Sequence, residues 1–401
     1  MDKKVKVLYL SYDGMTDPLG QSQVLPYLGG LALEGYEFHL VSFEKPERFE
    51  KHREIITSIC AESGIRWHPL TYTKNPPVLS TWWDVRKLSR LARKLHSQEH
   101  FSIVHCRSYI TALTGLSLKR KEGIPFIFDM RGFWADERVD GKLWNLGNPL
   151  FRSVYNFFKN KEIQFIEESD TTVSLTERGK SEILSWKGKF KNTPDIHVIP
   201  CCADLEVFNY AGLEQAQEPF VLGYLGAIGT WYMLDEMLDF FKVILKRYPD
   251  AVFHFLTKEA PGEILEKATQ KGISPVSLKI EEAARKMIPE LTRNWNCAVF
   301  FIRPTYSKQA SSPTKLGELM GMGIPVICNT GVGDVDLVVQ ETQCGVSIDT
   351  FSEASYETAL NLFLQKDYEK QEIRQGAKTN FDLQEGIKKY GNIYLRLLNK
   401  N

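Results

Sequence analysis

The sequence has few cysteines, no excess charge of either sign and no long apolar run. Seven cysteines in 401 residues are too few for a disulfide scaffold and lack the paired C-x-x-C spacing of a zinc site, so we interpret them as reduced thiols. Fifty basic residues balance fifty acidic ones, which excludes a global field that would attract nucleic acid or anionic lipid. The apolar run Val5–Leu10 is too short for a secretory signal, and no run is long enough to span a membrane. We therefore expect a cytoplasmic protein that binds no nucleic acid.

Short apolar runs alternate with longer amphipathic stretches along the whole chain. This alternation predicts parallel sheets covered by helices, and helices are expected over Gln21–Glu34 and Trp144–Glu168, among others. The predicted strands are Val5–Ser11, Glu37–Phe43, Ile65–Leu70, Ile103–Cys106, Phe126–Asp129, Thr171–Ser174, His197–Ile199, Phe220–Leu225, Val252–Leu256, Val276–Ile280, Ala298–Ile302, Pro325–Cys328 and Val346–Ile348. The polar segment Asn209–Pro219 interrupts the pattern. We predict two α/β domains, residues 1–205 and 206–380, and a C-terminal helix, residues 381–401, that packs back on the first domain.

The loop after the first predicted strand is one candidate for ligand contact, because doubly wound sheets bind ligands beyond the carboxyl ends of their strands. It contains Asp13 and Gly20. A glycine there would let backbone amides approach a phosphate or a sugar hydroxyl. The alternative is an ordinary turn.

A second polar cluster follows two later strands. His105 lies on one of them, and Asp129, Arg131 and Asp136 end or follow the next. Charged groups at equivalent strand ends are where an α/β site is usually assembled. The alternatives are a hydrogen-bonded core residue for His105, and a structural ion pair or helix cap for Asp129 and Arg131.

The most informative stretch of the second domain is Tyr306–Ile327. Small polar residues precede Pro313, which predicts a helix start near Ser312 or Pro313 with free amides available to a ligand. Lys315 lies in the first turn, where a positive charge is unfavourable unless an anion binds there, and Glu318 lies three residues further on the same face. A cation at a helix start, with a carboxylate that accepts from ribose hydroxyls, is what a nucleotide diphosphate requires. The alternative is a surface ion pair between the two side chains.

This stretch resembles the donor-binding segment of the GT-B nucleotide-sugar glycosyltransferases called glycosyltransferase family four, a large bacterial family of retaining enzymes. The matching residues are Ser312-Pro313-Thr314-Lys315-Leu316-Gly317-Glu318, followed by Gly323-Ile324-Pro325-Val326-Ile327. Val198–Phe208 resembles the family's interdomain element, with Cys201-Cys202 where Asn-Gly is usual. The resemblance covers nearly the whole chain. It implies two facing Rossmann-like doubly wound domains, the first for the acceptor and the second for the donor.

The family's usual donor contacts are only partly present in this sequence. Glu318 matches the second of two glutamates eight apart, which binds the ribose, whereas Ala310 stands at the position of the first. Ala227 and Tyr232 stand where Arg and Lys usually neutralise the diphosphate, so cations beyond the Ala298–Ile302 strand are the nearest replacements. The expected donor-binding residues are Gly20, Arg303, Lys308, Ser312, Lys315, Leu316 and Glu318.

The resemblance also suggests roles for the first domain. His105 matches the first position of the family's His-x-His, Arg107 departs from the second, and Arg131 stands where a His is often found. The expected catalytic residues are His105, Asp129 and Arg131. The expected acceptor-binding residues are Asp13 and Asp136.

The resemblance implies a hexosyltransferase that moves a sugar from a UDP- or GDP-sugar to a glycan or lipid-linked saccharide, with retention, in bacterial-type polysaccharide or glycoconjugate synthesis. No side chain is clearly a nucleophile, which favours a front-face mechanism. No cofactor is expected, and because no Asp-x-Asp pair or His/Cys cluster lies at the end of a strand, we predict no metal site and a metal-independent reaction. Two rivals stay open: a nucleotide-sugar epimerase or hydrolase on the same fold, and a non-catalytic scaffold subunit.

The stretch Ser80–His96 raises the question of a membrane partner. It carries five Lys and Arg residues against one acidic residue, Asp84, with apolar residues at helical spacing. Such a helix can lie on an anionic bilayer, which predicts peripheral contact with the inner face of the plasma membrane. The alternative is a helix packed on the first sheet with a solvated basic face.

Overall fold

The computed structural model describes residues 5–210 and 219–399, and the chain divides into two units. The first unit comprises the chain up to Pro200 together with the chain from Leu383 onward, and the second comprises Cys201–Asp382. Most of the predicted linker Asn209–Pro219 lies outside the described residues.

The second unit begins five residues before the predicted start at residue 206. The Cys201 amide donates to Ser312 Oγ at 3.1 Å, and the Ala203 amide donates to the Phe381 carbonyl at 2.8 Å. These hydrogen bonds hold the segment that follows Pro200 within the second unit.

The first unit contains a seven-stranded parallel sheet. Its strands are β1 (Val5–Ser11), β2 (Tyr36–Glu44), β3 (Arg66–Thr71), β4 (Ile103–Arg107), β5 (Phe126–Asp129), β6 (Thr171–Ser174) and β7 (Ile196–Val198). Its first eight helices are α1 (Pro18–Gln23), α2 (Leu25–Leu33), α3 (Pro46–Glu62), α4 (Leu79–Glu99), α5 (Ser108–Glu122), α6 (Trp134–Asp140), α7 (Pro149–Glu168) and α8 (Glu177–Ser185). The strand order is β3-β2-β1-β4-β5-β6-β7, so it reverses between β1 and β4.

The second unit contains a six-stranded parallel sheet. Its strands are β8 (Val221–Leu225), β9 (Val252–Leu256), β10 (Leu278–Glu281), β11 (Cys297–Phe300), β12 (Val326–Asn329) and β13 (Gly345–Ile348). Its helices are α9 (Leu234–Arg247), α10 (Pro261–Gln270), α11 (Ile288–Leu291), α12 (Thr314–Gly321), α13 (Val335–Thr342), α14 (Glu353–Leu364) and α15 (Lys370–Phe381), and short 3-10 turns cover Pro275–Ser277, Arg285–Met287 and Tyr306–Ala310. The order β10-β9-β8-β11-β12-β13 reverses between β8 and β11. Two Rossmann-like sheets of this kind confirm the predicted fold class.

The last helix, α16 (Leu383–Leu398), returns to the first unit and packs on α2. Its buried residues recur at three- and four-residue spacing, as expected for a helix with one apolar face. The contact with α2 is close, because a Cβ atom added at Gly30 would lie 2.3 Å from Ile387 Cδ1. Glycine at position 30 therefore lets the two helices meet.

Candidate functional site

Charged side chains of neighbouring strands meet where the strand order of the first unit reverses. Arg107 ends β4, opposite Ser11 of β1 and Asp129 of β5. Arg107 Nε donates to Asp13 Oδ2 at 3.0 Å, and Arg131 Nη1 lies 3.8 Å from Asp129 Oδ1. The structure thus brings together several of the residues that the sequence singles out. We call Asp13, His105, Arg107, Asp129 and Arg131 the first-unit cluster.

His105 and Asp129 are the most deeply buried residues of the first-unit cluster. Each side chain is only 2% exposed, and His105 Nε2 lies 3.6 Å from Asp129 Oδ2. Two tyrosines of α16 contact these two side chains. Tyr390 OH donates to Asp129 Oδ2 at 3.1 Å, and Tyr394 OH lies 2.7 Å from His105 Nδ1. Such burial favours a positioning role for His105 and Asp129, and it leaves Arg131 and Asp13 as the more accessible charged groups.

The protonation states of the cluster follow from its burial and its charges. Burial opposes the charge on Asp129, but Arg131 and His105 stabilise it, so that the pKa of this carboxyl lies below its usual value. Burial lowers the pKa of His105, and the nearby Asp129 only partly opposes this shift. We therefore expect an ionised Asp129 and a neutral His105 at neutral pH.

Gly20 packs closely against the backbone of the loop that precedes it. A Cβ atom at this position would lie 2.3 Å from the Gly14 carbonyl oxygen and 2.6 Å from Met15 Cα. The same loop is held by the buried Glu44 carboxylate, which accepts from the amides of Met15 at 2.8 Å and Thr16 at 3.0 Å. The glycine fixes the shape of the loop that carries Asp13.

Asp136 lies near the start of α6 and is held by side chains of α7. Tyr155 OH donates to Asp136 Oδ1 at 2.8 Å, and Lys159 Nζ donates to Asp136 Oδ2 at 2.7 Å. Both carboxylate oxygens thus have partners within the first unit. These contacts link α6 to α7.

The second candidate site lies where the strand order of the second unit reverses, around Lys315 of α12. Lys315 is buried, and its Nζ lies 4.0 Å from the centre of the Tyr224 ring and 3.5 Å from that of Tyr232. Gly226, which follows β8 with φ of +101°, is so close that a Cβ atom there would lie 3.8 Å from Nζ. Among the described residues, Lys315 Nζ has no hydrogen-bond partner. A buried cation without an acceptor is costly, so the arrangement favours an anion beside Nζ.

Burial also shifts the pKa values of the two ionisable groups of α12. It lowers the pKa of Lys315 well below the usual value, and Glu318 opposes this only in part. It raises the pKa of Glu318, against the effect of Arg285 and Lys315. Because Lys315 is buried, the surface ion pair that the sequence also allowed does not describe this site.

The segment Trp231–Tyr232 contacts all three of the residues expected to supply positive charge to the diphosphate, namely Arg303, Lys308 and Lys315. Lys308 Nζ lies 3.7 Å from the centre of the Trp231 ring, and Lys315 Nζ lies 3.5 Å from the centre of the Tyr232 ring. The amide of the exposed Arg303 donates to the Trp231 carbonyl at 3.0 Å. Arg303, Lys308 and Lys315 are far from this segment in sequence, and these contacts bring them to one end of the sheet.

Ser312 and Leu316 stabilise the start of α12, next to Lys315. Helix α12 begins at Thr314, two residues after Ser312. Ser312 Oγ accepts from the Cys201 amide, and Leu316 is buried in the apolar core of the second unit. Both residues therefore help to place the start of α12.

One cluster of potential metal ligands occurs within residues 5–210 and 219–399, formed by Glu37, His39 and Glu99. Its carboxylates already pair with cations. Arg66 Nη2 lies 3.0 Å from Glu37 Oε1, Arg66 Nη1 lies 3.1 Å from Glu99 Oε1, and Lys6 Nζ lies 2.5 Å from Glu99 Oε2. The cluster is thus part of an ion-pair network between the first sheet and the end of α4.

The outer face of α4 combines exposed tryptophans with cations. Trp82 and Trp83 are 51% and 43% exposed, and the exposed cations that follow are Arg86, Arg90, Arg93 and Lys94. The acid Asp84 points inward, where Thr73 Oγ1 donates to it at 2.7 Å. Among the described residues, no helix has the length and apolar content needed to cross a bilayer.

Two family models match the chain one after the other. The model described as Glycosyltransferase Family 4 matches residues 23–207, and the model described as Glycosyl transferases group 1 matches residues 210–380. No curated protein sequence matches the chain.

Solved structures share the fold over the full length. Sucrose-phosphate synthase from Thermosynechococcus elongatus is 13% identical with a TM-score of 0.76, over 99% of this chain and 100% of the other. A glycosyltransferase from Rickettsia africae is 13% identical with a TM-score of 0.71, over 100% of both chains. Alr3699/HepE from Anabaena, in complex with UDP, is 12% identical with a TM-score of 0.69, over 98% of this chain and 100% of the other. At this level of sequence identity, the comparison shows that the fold is similar and shows nothing more.

Proposed function

Because the chain belongs to the GT-B glycosyltransferases that join a Glycosyltransferase Family 4 domain to a Glycosyl transferases group 1 domain, we propose that it transfers a sugar from a UDP- or GDP-sugar to a glycan or lipid-linked saccharide. The observation that carries this proposal is the buried Lys315 ammonium beside Gly226, which has no hydrogen-bond acceptor among the described residues. The diphosphate of a donor would be that acceptor. The Anabaena structure with UDP supports a nucleotide ligand on this fold.

In the second unit, we propose that cations bind the diphosphate and that a carboxylate binds the ribose. Lys315, Lys308 and Arg303 lie at one end of the sheet and would neutralise the two phosphates. Glu318 would accept from the ribose hydroxyls. Negative charge on the leaving diphosphate grows as the glycosidic bond breaks, so preorganised cations stabilise the transition state more than the ground state.

In the first unit, we propose that Arg131 and Asp13 contact the sugars and that the buried residues of the first-unit cluster hold them in place. Asp129 balances the charge of Arg131, and Arg107 holds Asp13. Because His105 is buried and its pKa is lowered, it would orient Asp129 rather than carry a proton to substrate.

For the chemical step, we propose a front-face reaction with retention that needs no metal ion. The acceptor oxygen forms a bond to the anomeric carbon on the same face from which the diphosphate oxygen departs. The acceptor hydroxyl proton passes to an oxygen of the departing diphosphate. The protein supplies position and charge, and no covalent bond to a side chain is formed. The pathway would be bacterial-type polysaccharide or glycoconjugate synthesis.

Glu318→Gln should raise KM for the donor about 5- to 10-fold and leave kcat nearly unchanged. An amide oxygen accepts hydrogen bonds less strongly than a carboxylate, by about 1 kcal/mol, and the ribose contacts change little between ground and transition states. Steady-state kinetics with varied donor measures both constants. The control is Glu341→Gln, which changes an exposed glutamate of the same unit. A fall in kcat at unchanged KM would contradict the ribose assignment.

We also propose that α4 holds the protein on the inner face of the plasma membrane. Its exposed face pairs two tryptophans, which favour the bilayer interface, with four cations, which favour anionic headgroups. Arg86 lies over the Trp82 ring at 4.3 Å, so apolar and charged groups adjoin. A lipid-linked acceptor would be presented at such a surface.

Vesicle cosedimentation tests the membrane proposal. Each cation near an anionic surface contributes about 1 kcal/mol, so replacing both Arg86 and Arg90 with Gln should weaken binding to phosphatidylglycerol-containing vesicles about 30-fold. The matched control replaces Lys51 and Arg53 of α3 with Gln. Equal binding to purely zwitterionic vesicles, or an equal loss in the control, would contradict the proposal.

Calorimetry with UDP and GDP tests the donor assignment and separates the rivals. We expect one of the two to bind with Kd between about 1 μM and 1 mM. A non-catalytic scaffold would be expected to bind neither. Incubation with donor sugar alone addresses the other rival, because release of an epimer or of free sugar at catalytic rate would indicate an epimerase or hydrolase.

A further inference from the structure

Aromatic rings line the buried Lys315 ammonium, and no carboxylate of the described residues is hydrogen-bonded to it. The rings of Tyr224 and Tyr232 lie 4.0 and 3.5 Å from Nζ. Tyr232 is fixed by its bridge to Ile302 beside β11, and Tyr224 OH donates to the Ala227 carbonyl at 2.7 Å. The same two residues therefore line the lysine and hold the turn at Gly226.

We propose that Tyr224 and Tyr232 are positioning residues that hold the Lys315 ammonium at the Gly226 turn for the diphosphate of a nucleotide donor. This inference rests on the proposed function and deepens it. It assigns a role to Tyr232 at a position where the family resemblance would expect a cation.

Ring faces suit this task because they attract a cation without neutralising it. A carboxylate bonded to Lys315 would use its N–H donors and would compete with a phosphate for the charge. A ring face leaves those donors available and excludes water, so that an arriving anion finds a cation of fixed position and low hydration. The absence of a hydrogen-bond partner for Nζ within the described residues fits this arrangement.

Above the lowered pKa of Lys315, where the lysine of the free protein is neutral, the arrangement links anion binding to proton uptake. The ionisable groups around Lys315 are Tyr224, Tyr232 and Glu318, with Arg285 acting on Glu318 and Glu259 on Tyr224. Burial lowers the pKa of Lys315 in the free protein, and a bound diphosphate would raise it. A nucleoside diphosphate should therefore bind more weakly as pH rises above about 7.5, where its phosphates are already ionised. Lys315→Met should bind weakly with little dependence on pH.

The test compares UDP and GDP binding, by calorimetry at pH 7.5 and 9.5, in ring-keeping and ring-removing variants. Tyr232→Leu should weaken binding about tenfold at pH 7.5 and reduce its pH dependence, whereas Tyr232→Phe should stay within about threefold of wild type. The matched control is Tyr248→Leu, which removes a ring stacked on Phe220 elsewhere in the second unit. Wild-type affinity and pH dependence in Tyr232→Leu would overturn the inference.

A second measurement needs no donor and keeps the inference separate from the proposed function. With lysine labelled at 13Cε, the NMR signal absent from Lys315→Met identifies Lys315. It should titrate below the other lysines in wild type and lower still in Tyr232→Leu, because leucine keeps the apolar surroundings and removes the attraction of the ring face. If neither UDP nor GDP binds, the proposed function fails, and a Lys315 signal that pyrophosphate shifts would still support the inference. A Lys315 signal that titrates with the other lysines, or that pyrophosphate leaves unchanged, would overturn it.

Discussion

Replacing Lys315 with methionine is expected to lower kcat/KM for the donor about 10- to 100-fold without loss of stability. A hydrogen bond to a charged group contributes about 1.5 to 3 kcal/mol, and the diphosphate gains charge in the transition state, so kcat should fall together with donor affinity. Methionine keeps an apolar contact with the Tyr224 and Tyr232 rings.

The direction in which Lys315→Met changes the free energy of unfolding follows from the pKa of Lys315. The pKa of Lys315 is lower in the folded protein than in the unfolded chain, so the unfolded state binds more protons and the wild-type lysine opposes folding below its unfolded pKa. Lys315→Met should therefore melt at or above the wild-type temperature at pH 7. Calorimetric melting beside steady-state kinetics measures both effects. Wild-type kcat/KM, or a variant inactive only because it unfolds, would contradict this assignment.

Asp129→Ala is expected to lower the free energy of unfolding by about 3 to 5 kcal/mol and to abolish transfer. Removing one partner of a buried ion pair is strongly destabilising, and here it also leaves Tyr390 OH without its acceptor. For a unit of this size, the loss corresponds to a fall in Tm of about 6 to 20 °C.

The control for Asp129→Ala is an exposed ion pair in the same unit. Glu385 Oε1 lies 3.5 Å from Lys388 Nζ on the outer face of α16, with both side chains more than half exposed. Glu385→Ala should therefore cost no more than about 1 kcal/mol. Tyr390→Phe removes only the hydroxyl and should fall between the two. Equal melting temperatures for Asp129→Ala and Glu385→Ala would show that the first-unit cluster does not hold the unit together.

The sheets are the part of the fold that the sequence predicts best. Strands of a parallel sheet are buried on both faces, so they occur as short continuous apolar runs whose ends can be read directly. Val5–Ser11 and Phe126–Asp129 match their predicted bounds. Helix ends depend on local capping and are harder to predict. Gln21–Glu34 is two helices divided at Val24, and the helix predicted from Trp144 begins at Pro149, where Asn148 accepts from the Leu150 amide.

The candidate sites are predicted only where chemistry and strand ends coincide. Asp129 stands out because it ends an apolar run, and Lys315 stands out because a positive charge is unfavourable in the first turn of a helix. The partners that hold them carry no such signal. Tyr390 is 261 residues from Asp129 in sequence and lies on the apolar face of a helix, where a buried tyrosine is indistinguishable from ordinary core. The burial of Lys315 between two rings likewise depends on packing between β8 and α12, which spacing along the chain does not reveal.

The central claim is that this chain transfers a sugar from a nucleotide donor and that Lys315 binds the donor's diphosphate. Mass spectrometry of a screen of UDP- and GDP-sugars against saccharide and lipid-linked acceptors, run in EDTA, tests it most directly. We predict one donor whose sugar mass appears on an acceptor, with stoichiometric release of the nucleoside diphosphate, and a rate reduced about 10- to 100-fold in Lys315→Met. Free sugar as the sole product, or transfer by Lys315→Met at the wild-type rate, would contradict the claim.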